Sequence, residues 1–195
     1  MKPYFDTSHL AGVLMLIVTM AWGAIEAGHA GHRREGAVKA GGGGQRFAVI
    51  PAVLAASAML WLAPRLVPAA AIRPGAAAFT VGLVILVAGL VLRGWAIMVL
   101  GDYFTGRVMV SADQPVITAG PYRLLRHPSY TGLLLACTGV GLASANWAGL
   151  AAIGVLPLAA VLWRIHAEET ALLGTLGDRY RVYAAQHKRL VPLIW

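Results

Sequence analysis

The sequence predicts an all-α fold: a polytopic membrane protein of about five transmembrane helices, the last two forming a helical hairpin, with a cytosolic C-terminal helical tail. Three observations predict it. Of the 195 residues, 58% are hydrophobic and only 12% charged, about half the charged share of an ordinary soluble domain. The apolar residues gather in long blocks rather than amphipathic stripes. Finally, the Lys and Arg residues fall mostly on one side of the alternating spans, the bias that sets membrane orientation.

The chain divides into residues 1–75, a two-span region with a Gly-rich loop, and residues 76–195, a membrane core carrying the polar motifs. The first apolar run is Leu10–Ile25. It is preceded by a single basic residue, Lys2, and no small-x-small cleavage site follows, so it reads as a retained span rather than a signal peptide. The loop after it holds Gly41 to Gly44, which lacks the lysine and hydroxyl residue of a phosphate loop and reads as a flexible linker. Glu26, His29, His32 and Glu35 lie near this loop without the spacing of one helix face, so no metal site is expected.

Phe47–Leu62 is the second run and Ala76–Leu100 the third. The fourth, Gly132–Ser144, and the fifth, Trp147–Trp163, are separated only by Ala145-Asn146, a break so short that the two must be antiparallel neighbours. A hydrocarbon core about 30 Å thick needs roughly 20 helical residues, so either the ends of the short first, second and fourth runs extend a turn into the interface or the last two runs form a tight hairpin, which the short break supports. Gly139, Gly141 and Ala143 suit close helix packing. Cys137, the sole cysteine, reads as a small buried hydrophobe.

With five spans, Arg33, Arg34, Lys39, Arg46, Arg107, Arg123, Arg126 and the basic residues from Arg164 onward share one side, against Lys2, Arg65 and Arg73 on the other. The N-terminus is then outside and the tail cytoplasmic. The net charge of +8 is scattered over short loops and the tail, which suits anionic lipid headgroups and excludes a nucleic-acid interface.

Chemistry concentrates at two places on that cytoplasmic side. Gly120-Pro121-Tyr122-Arg123-Leu124-Leu125-Arg126-His127-Pro128-Ser129-Tyr130-Thr131-Gly132 is a polar loop entering the fourth span. Pro121 and Pro128 disfavour helix at the residues before them, and Pro128 suits the first helical position. The N–H groups of that helix start, with Arg126 and His127, form an expected anion site. The second place is Arg164-Ile165-His166-Ala167-Glu168-Glu169. Arg164 and Glu168 are four apart and can pair, leaving Glu169 as an unpaired acid suited to the hydroxyls of a ribose. Gly177 is expected to end this helix and Asp178 to cap a short one carrying Tyr180 and Tyr183. These tyrosines either cover a cofactor or lie on the membrane surface.

Arg93 lies seven residues before Leu100, about 10 Å from the inner end of its span. A buried arginine there is either functional or snorkels to the headgroups. Asp102, Tyr103 and Thr105 are its potential partners.

The run Arg126-His127-Pro128-Ser129-Tyr130-Thr131-Gly132, preceded by Gly120-Pro121-Tyr122, resembles the R-H-P-x-Y-x-G motif of the isoprenylcysteine carboxyl methyltransferase family. Glu168-Glu169, Gly177, Tyr180, Tyr183 and Arg189-Leu190-Val191-Pro192 are similar to its C-terminal signature, and Arg93 to Thr105 is similar too. The resemblance covers residues 80–195; the first two spans carry no recognisable motif. It implies a membrane methyltransferase using S-adenosylmethionine and a lipophilic acceptor that enters from the bilayer. It places Gly120, Tyr122, His127, Pro128, Tyr130, Glu168 and Glu169 around the cofactor, with Arg93 and Arg126 as candidates to orient the acceptor. A carboxylate acceptor is already ionised and needs no base; an amine or thiol would need His127 or Glu169. The rival readings are a membrane reductase using a nicotinamide cofactor and a non-enzymatic scaffold.

Overall fold

A computed structural model describes residues 2–30, 38–39, 46–104, 109–110, 114–192 and 194–195; side chains within 25–50, and those of Val53 and Met109, lie outside the description. After a 3-10 turn at Tyr4–Asp6 come α1 (His9–Ala30), β1 (Val38–Lys39), α2 (Arg46–Leu66), α3 (Gly75–Leu100), β2 (Met109–Val110), α4 (Pro128–Ala143), α5 (Trp147–Leu176) and α6 (Asp178–Gln186). The described fold is helical apart from the antiparallel two-residue pair β1–β2, with Val38 opposite Val110.

All five apolar runs are helical, and α1, α2 and α5 extend beyond the runs that predicted them. Two helical stretches, Gly75–Tyr103 and Trp147–Leu176, are long and apolar enough to cross a membrane; the apolar parts of α1, α2 and α4 are shorter. Apolar residues cover the outside of α3 as well as its inside. Val84, Val91 and Met98, spaced by seven, are 64%, 65% and 73% exposed. A helix apolar all round is at home in hydrocarbon rather than in water.

Among the described residues, the inner face of α3 meets α4 in the most extensive interface, followed by α2 against α5 and α4 against α5. The α3–α4 seam is built from small residues at seven-residue spacing: Gly82 and Gly89 on α3, Gly132, Ala136, Gly139 and Ala143 on α4. A Cβ on Gly89 would stand 2.5 Å from Ala136 N, and one on Gly132 would stand 2.6 Å from Arg93 N. The two backbones are therefore in direct contact, the close approach that small residues permit between membrane helices. Cys137 faces this core and is fully buried with Leu86, Ala136 and Ala143.

The predicted hairpin is present. Asn146 caps α5, its Oδ1 accepting from Ala148 N at 3.0 Å and Gly149 N at 3.2 Å, while Nδ2 donates to Val67 O at 3.1 Å. Asn146 is buried. Beyond Trp163 the helix α5 continues unbroken through Glu168 and Glu169 to Gly177, whose φ of +55° ends it. Asp178 is not a cap: it is the first residue of α6, with no side-chain cap bond at Gly177, and its carboxylate pairs instead with Arg181.

Candidate functional site

The loop before α4 is shaped by its glycine and prolines. Gly120 has φ +55°, and a Cβ there would come within 2.9 Å of Val99 Cγ2. A 3-10 turn spans Gly120–Arg123 with Pro121 in its first positions, and α4 begins at Pro128, as the pre-proline restriction predicts. The loop is then bonded to the C-terminal segment. Arg126 N donates to Lys188 O at 2.7 Å, His127 N donates to Arg189 O at 3.1 Å, and Thr131 Oγ1 donates to Leu190 O at 2.8 Å. The Tyr183 hydroxyl of α6 donates to Tyr122 O at 2.9 Å and Leu125 O at 3.2 Å. Tyr180 and Tyr183 are thus buried against the loop and not spread on a membrane surface.

Glu169 is the hub of the site and departs from expectation. Its Oε1 lies 2.7 Å from Arg126 Nη1 and 3.3 Å from His127 Nε2. Its Oε2 accepts from Arg189 Nε at 3.0 Å and meets Nη2 at 2.9 Å. The carboxylate expected to be unpaired is therefore saturated. The cause is tertiary: Arg189 returns from beyond α6, a partner that spacing along α5 alone does not reveal. Both Arg189 nitrogens converge on one carboxylate oxygen, a charge-assisted contact stronger than a neutral hydrogen bond.

Glu168 pairs less directly than expected. Arg164 Nε stands 3.7 Å from Glu168 Oε1, but donates to Tyr130 Oη at 2.5 Å, and Tyr130 Oη donates onward to Glu168 Oε1 at 2.8 Å. Glu168 Oε2 lies 3.6 Å from His127 Nδ1, so the imidazole is held between the two carboxylates. The His127 and Tyr130 rings stack at 5.8 Å.

The helix start offers fewer N–H groups than anticipated, because Tyr130 N and Thr131 N both donate to His127 O. Arg93 does not snorkel. It is buried, and its Nη1 donates to Ser129 O at 3.1 Å and Ser129 Oγ at 3.0 Å. Ser129, rather than Asp102, meets it; Asp102 is exposed and Thr105 lies outside the described residues. Tyr122 sits between the clusters, its hydroxyl pushed well above the usual phenol range by burial, then by Glu168 and Tyr183, with Arg93 opposing.

Gly120, Tyr122, Arg126, His127, Pro128, Tyr130, Glu168 and Glu169 therefore fall into one cluster around the loop, with Arg93 joined to it through Ser129. Arg189 and Ser129 complete it without having been given a role; the only sequence signal for either was its place in a motif. Tyr180, read from the sequence as covering either a cofactor or the membrane surface, is buried. The earlier metal-like set and the tetraglycine lie outside the described side chains.

The sequence model of the isoprenylcysteine carboxyl methyltransferase (ICMT) family matches residues 81–174, the stretch that holds α3, the loop, α4 and both glutamates. Over this stretch the chain is similar to that family. Protein-S-isoprenylcysteine O-methyltransferase B of Arabidopsis thaliana is 31% identical over 120 residues, covering 58% of this chain and 58% of the relative. A probable enzyme of the same name from Oryza sativa subsp. indica is 32% identical over 121 residues, covering 58% and 61%. The solved structure of the eukaryotic intramembrane Ras methyltransferase ICMT aligns with a TM-score of 0.58 at 28% identity, over 74% of this chain and 52% of that one. The chain thus spans little more than half the length of the relatives it matches. The ICMT match favours the methyltransferase reading over the reductase and the scaffold.

Proposed function

We propose that this protein is a membrane methyltransferase that uses S-adenosylmethionine to methylate a lipophilic acceptor, with a carboxylate of isoprenylcysteine type as the preferred class. The observation that carries this reading is the buried Glu169 hub, where one carboxylate gathers Arg126, His127 and Arg189 at the end of two long apolar helices.

The residues present fit such a donor. Glu168, with Oε1 engaged by Tyr130 and Oε2 only 3.6 Å from His127, retains acceptor capacity for hydroxyl groups, a role that moves here from the saturated Glu169. Tyr122, His127 and Tyr130 supply ring faces for a cationic centre. When bound, S-adenosylmethionine supplies an electrophilic methyl group on a sulfonium.

The remaining work is positioning. A carboxylate acceptor is ionised near neutral pH and needs alignment rather than deprotonation. Arg93 is placed to provide it: Ser129 fixes the plane of its guanidinium by engaging Nη1 through two oxygens. Arg126, held by Glu169 at 2.7 Å, belongs to the donor side instead. We take the loop face as cytoplasmic, from the distribution of basic residues.

Methyl transfer from labelled S-adenosylmethionine to prenylcysteine, fatty-acid, amine and thiol acceptors, with purified protein in liposomes, tests this reading. Transfer to the carboxylate acceptors is expected. Tight binding of a reduced nicotinamide cofactor with no binding of S-adenosylhomocysteine would overturn it.

A further inference from the structure

Among the described residues, two buried side-chain polar atoms have no hydrogen-bond partner: Arg126 Nε and Tyr180 Oη. Both belong to the same cluster. Arg126 uses Nη1 on Glu169, leaving its Nε–H unspent. Tyr180 is 4% exposed, its ring 5.9 Å from that of Tyr183, which in turn holds the loop through Tyr122 O and Leu125 O. After burial itself, the charges acting most strongly on the Tyr180 hydroxyl are those of Glu169 and Arg126, which places it in their company. Native interiors rarely leave a buried hydroxyl or guanidinium N–H unsatisfied, and two such donors in one cluster point to a ligand.

The unmet capacity is specific. The guanidinium Nε can only donate, and the phenol is most useful as a donor. Two donors beside a cation that is itself held rigidly suit an anionic oxygen acceptor. Glu169 cannot supply it, because Arg126 Nη1, His127 and Arg189 already occupy its oxygens. We propose that Tyr180 Oη and Arg126 Nε form a binding position for a ligand carboxylate, with Tyr180 the ligand-contacting residue that α6 contributes. This rests on the methyltransferase reading, which offers two sources of a carboxylate: the amino-acid end of the methyl donor, and the acceptor.

Tyr180→Phe removes only the hydroxyl and tests the proposal. In the full-length protein, calorimetric binding of S-adenosylhomocysteine is compared with that of its decarboxylated analogue, alongside KM for a prenylcysteine carboxylate. If the position takes the donor's carboxylate, the variant binds S-adenosylhomocysteine about tenfold more weakly, as for loss of one hydrogen bond to a charged group. The decarboxylated analogue is then bound equally by variant and wild type. If it takes the acceptor's carboxylate, S-adenosylhomocysteine binding is unchanged and KM rises about tenfold. Unchanged values in both arms, in a variant whose unfolding temperature is unchanged or raised, overturn the proposal. A wild-type protein that binds no S-adenosylhomocysteine at all overturns the methyltransferase reading instead, so the two failures are distinct.

Discussion

Arg189 grips Glu169 with two nitrogens, Nε at 3.0 Å and Nη2 at 2.9 Å, and so ties the far end of α5 to the segment that follows α6. Arg189 is also stacked over Trp195 at 5.3 Å, and the backbone beside it pairs with the loop at Arg126 and His127. Three chain segments distant in sequence meet at one carboxylate.

Glu169→Gln leaves the shape of that carboxylate and removes its charge. Arg126 and Arg189, both half-buried, then lose their partner, a change that costs about 1–3 kcal/mol. Thermal unfolding in detergent is expected to shift down and S-adenosylhomocysteine binding to be lost. The double variant Glu169→Gln with Arg189→Gln should recover part of the stability, since it removes one of the stranded charges.

Tyr130→Phe deletes the hydroxyl that relays Arg164 to Glu168 while leaving the ring against His127. With only a 3.7 Å contact remaining between Arg164 and Glu168, Glu168 loses its fixed orientation. A stability loss of about 1 kcal/mol is expected, together with weaker donor binding by calorimetry.

Arg93→Ala is expected to leave S-adenosylhomocysteine affinity within about twofold and to lower kcat by about 100-fold, the scale of a misaligned acceptor. Arg93→Lys should not rescue it, because an ammonium lacks the planar fork that Ser129 aligns. Equal turnover in wild type and variant would remove Arg93 from the reaction.

Gly89→Ala and Gly132→Ala place a methyl group 2.5 Å and 2.6 Å from backbone nitrogen across the α3–α4 seam. Neither backbone can yield cheaply, so a loss of about 3 kcal/mol or failure to fold is expected. Gly94→Ala, on the same helix with nothing within 4 Å, is the control and should be neutral or stabilising by thermal unfolding.

Alkaline stability reports the loop contacts. Burial pushes the Tyr183 hydroxyl up to about 12, against the opposing charge of Arg126, from an ordinary value of 10. Its folded value is raised, so its contribution is intact below pH 10 and is lost as pH rises from 10 to 12. Tyr183→Phe should reduce the steepness of unfolding across that window, measured by circular dichroism in detergent.

Much of the architecture was legible because hydrophobic blocks, prolines and glycines act locally. Pro128 marked the start of α4, Gly177 the end of α5, and Asn146 the hairpin between. The motif residues of the loop and the two glutamates also come together as their types suggested. Pairing was the opposite case. Arg164 was matched to Glu168 by spacing and the two do pair at 3.7 Å, but the shorter link runs through Tyr130, thirty-four residues away, which spacing did not reveal. Glu169 looked solitary because its partners Arg126 and Arg189 arrive from other segments. Helical spacing identifies neighbours within one turn; it carries no information about which distant cation a fold returns to a given acid.

The glycine seam between α3 and α4 has a consequence for how this architecture can change. Backbones that touch at a seven-residue spacing have allowed registers separated by about 10 Å, the rise of seven helical residues. Smaller slips drive backbone into side chains, and a full step would carry Arg93 away from Ser129. The guanidinium is therefore fixed in depth, like a peg in a ruled slot. Redesign of acceptor preference has the side chains around that peg to work with, and not the position of the helix that bears it.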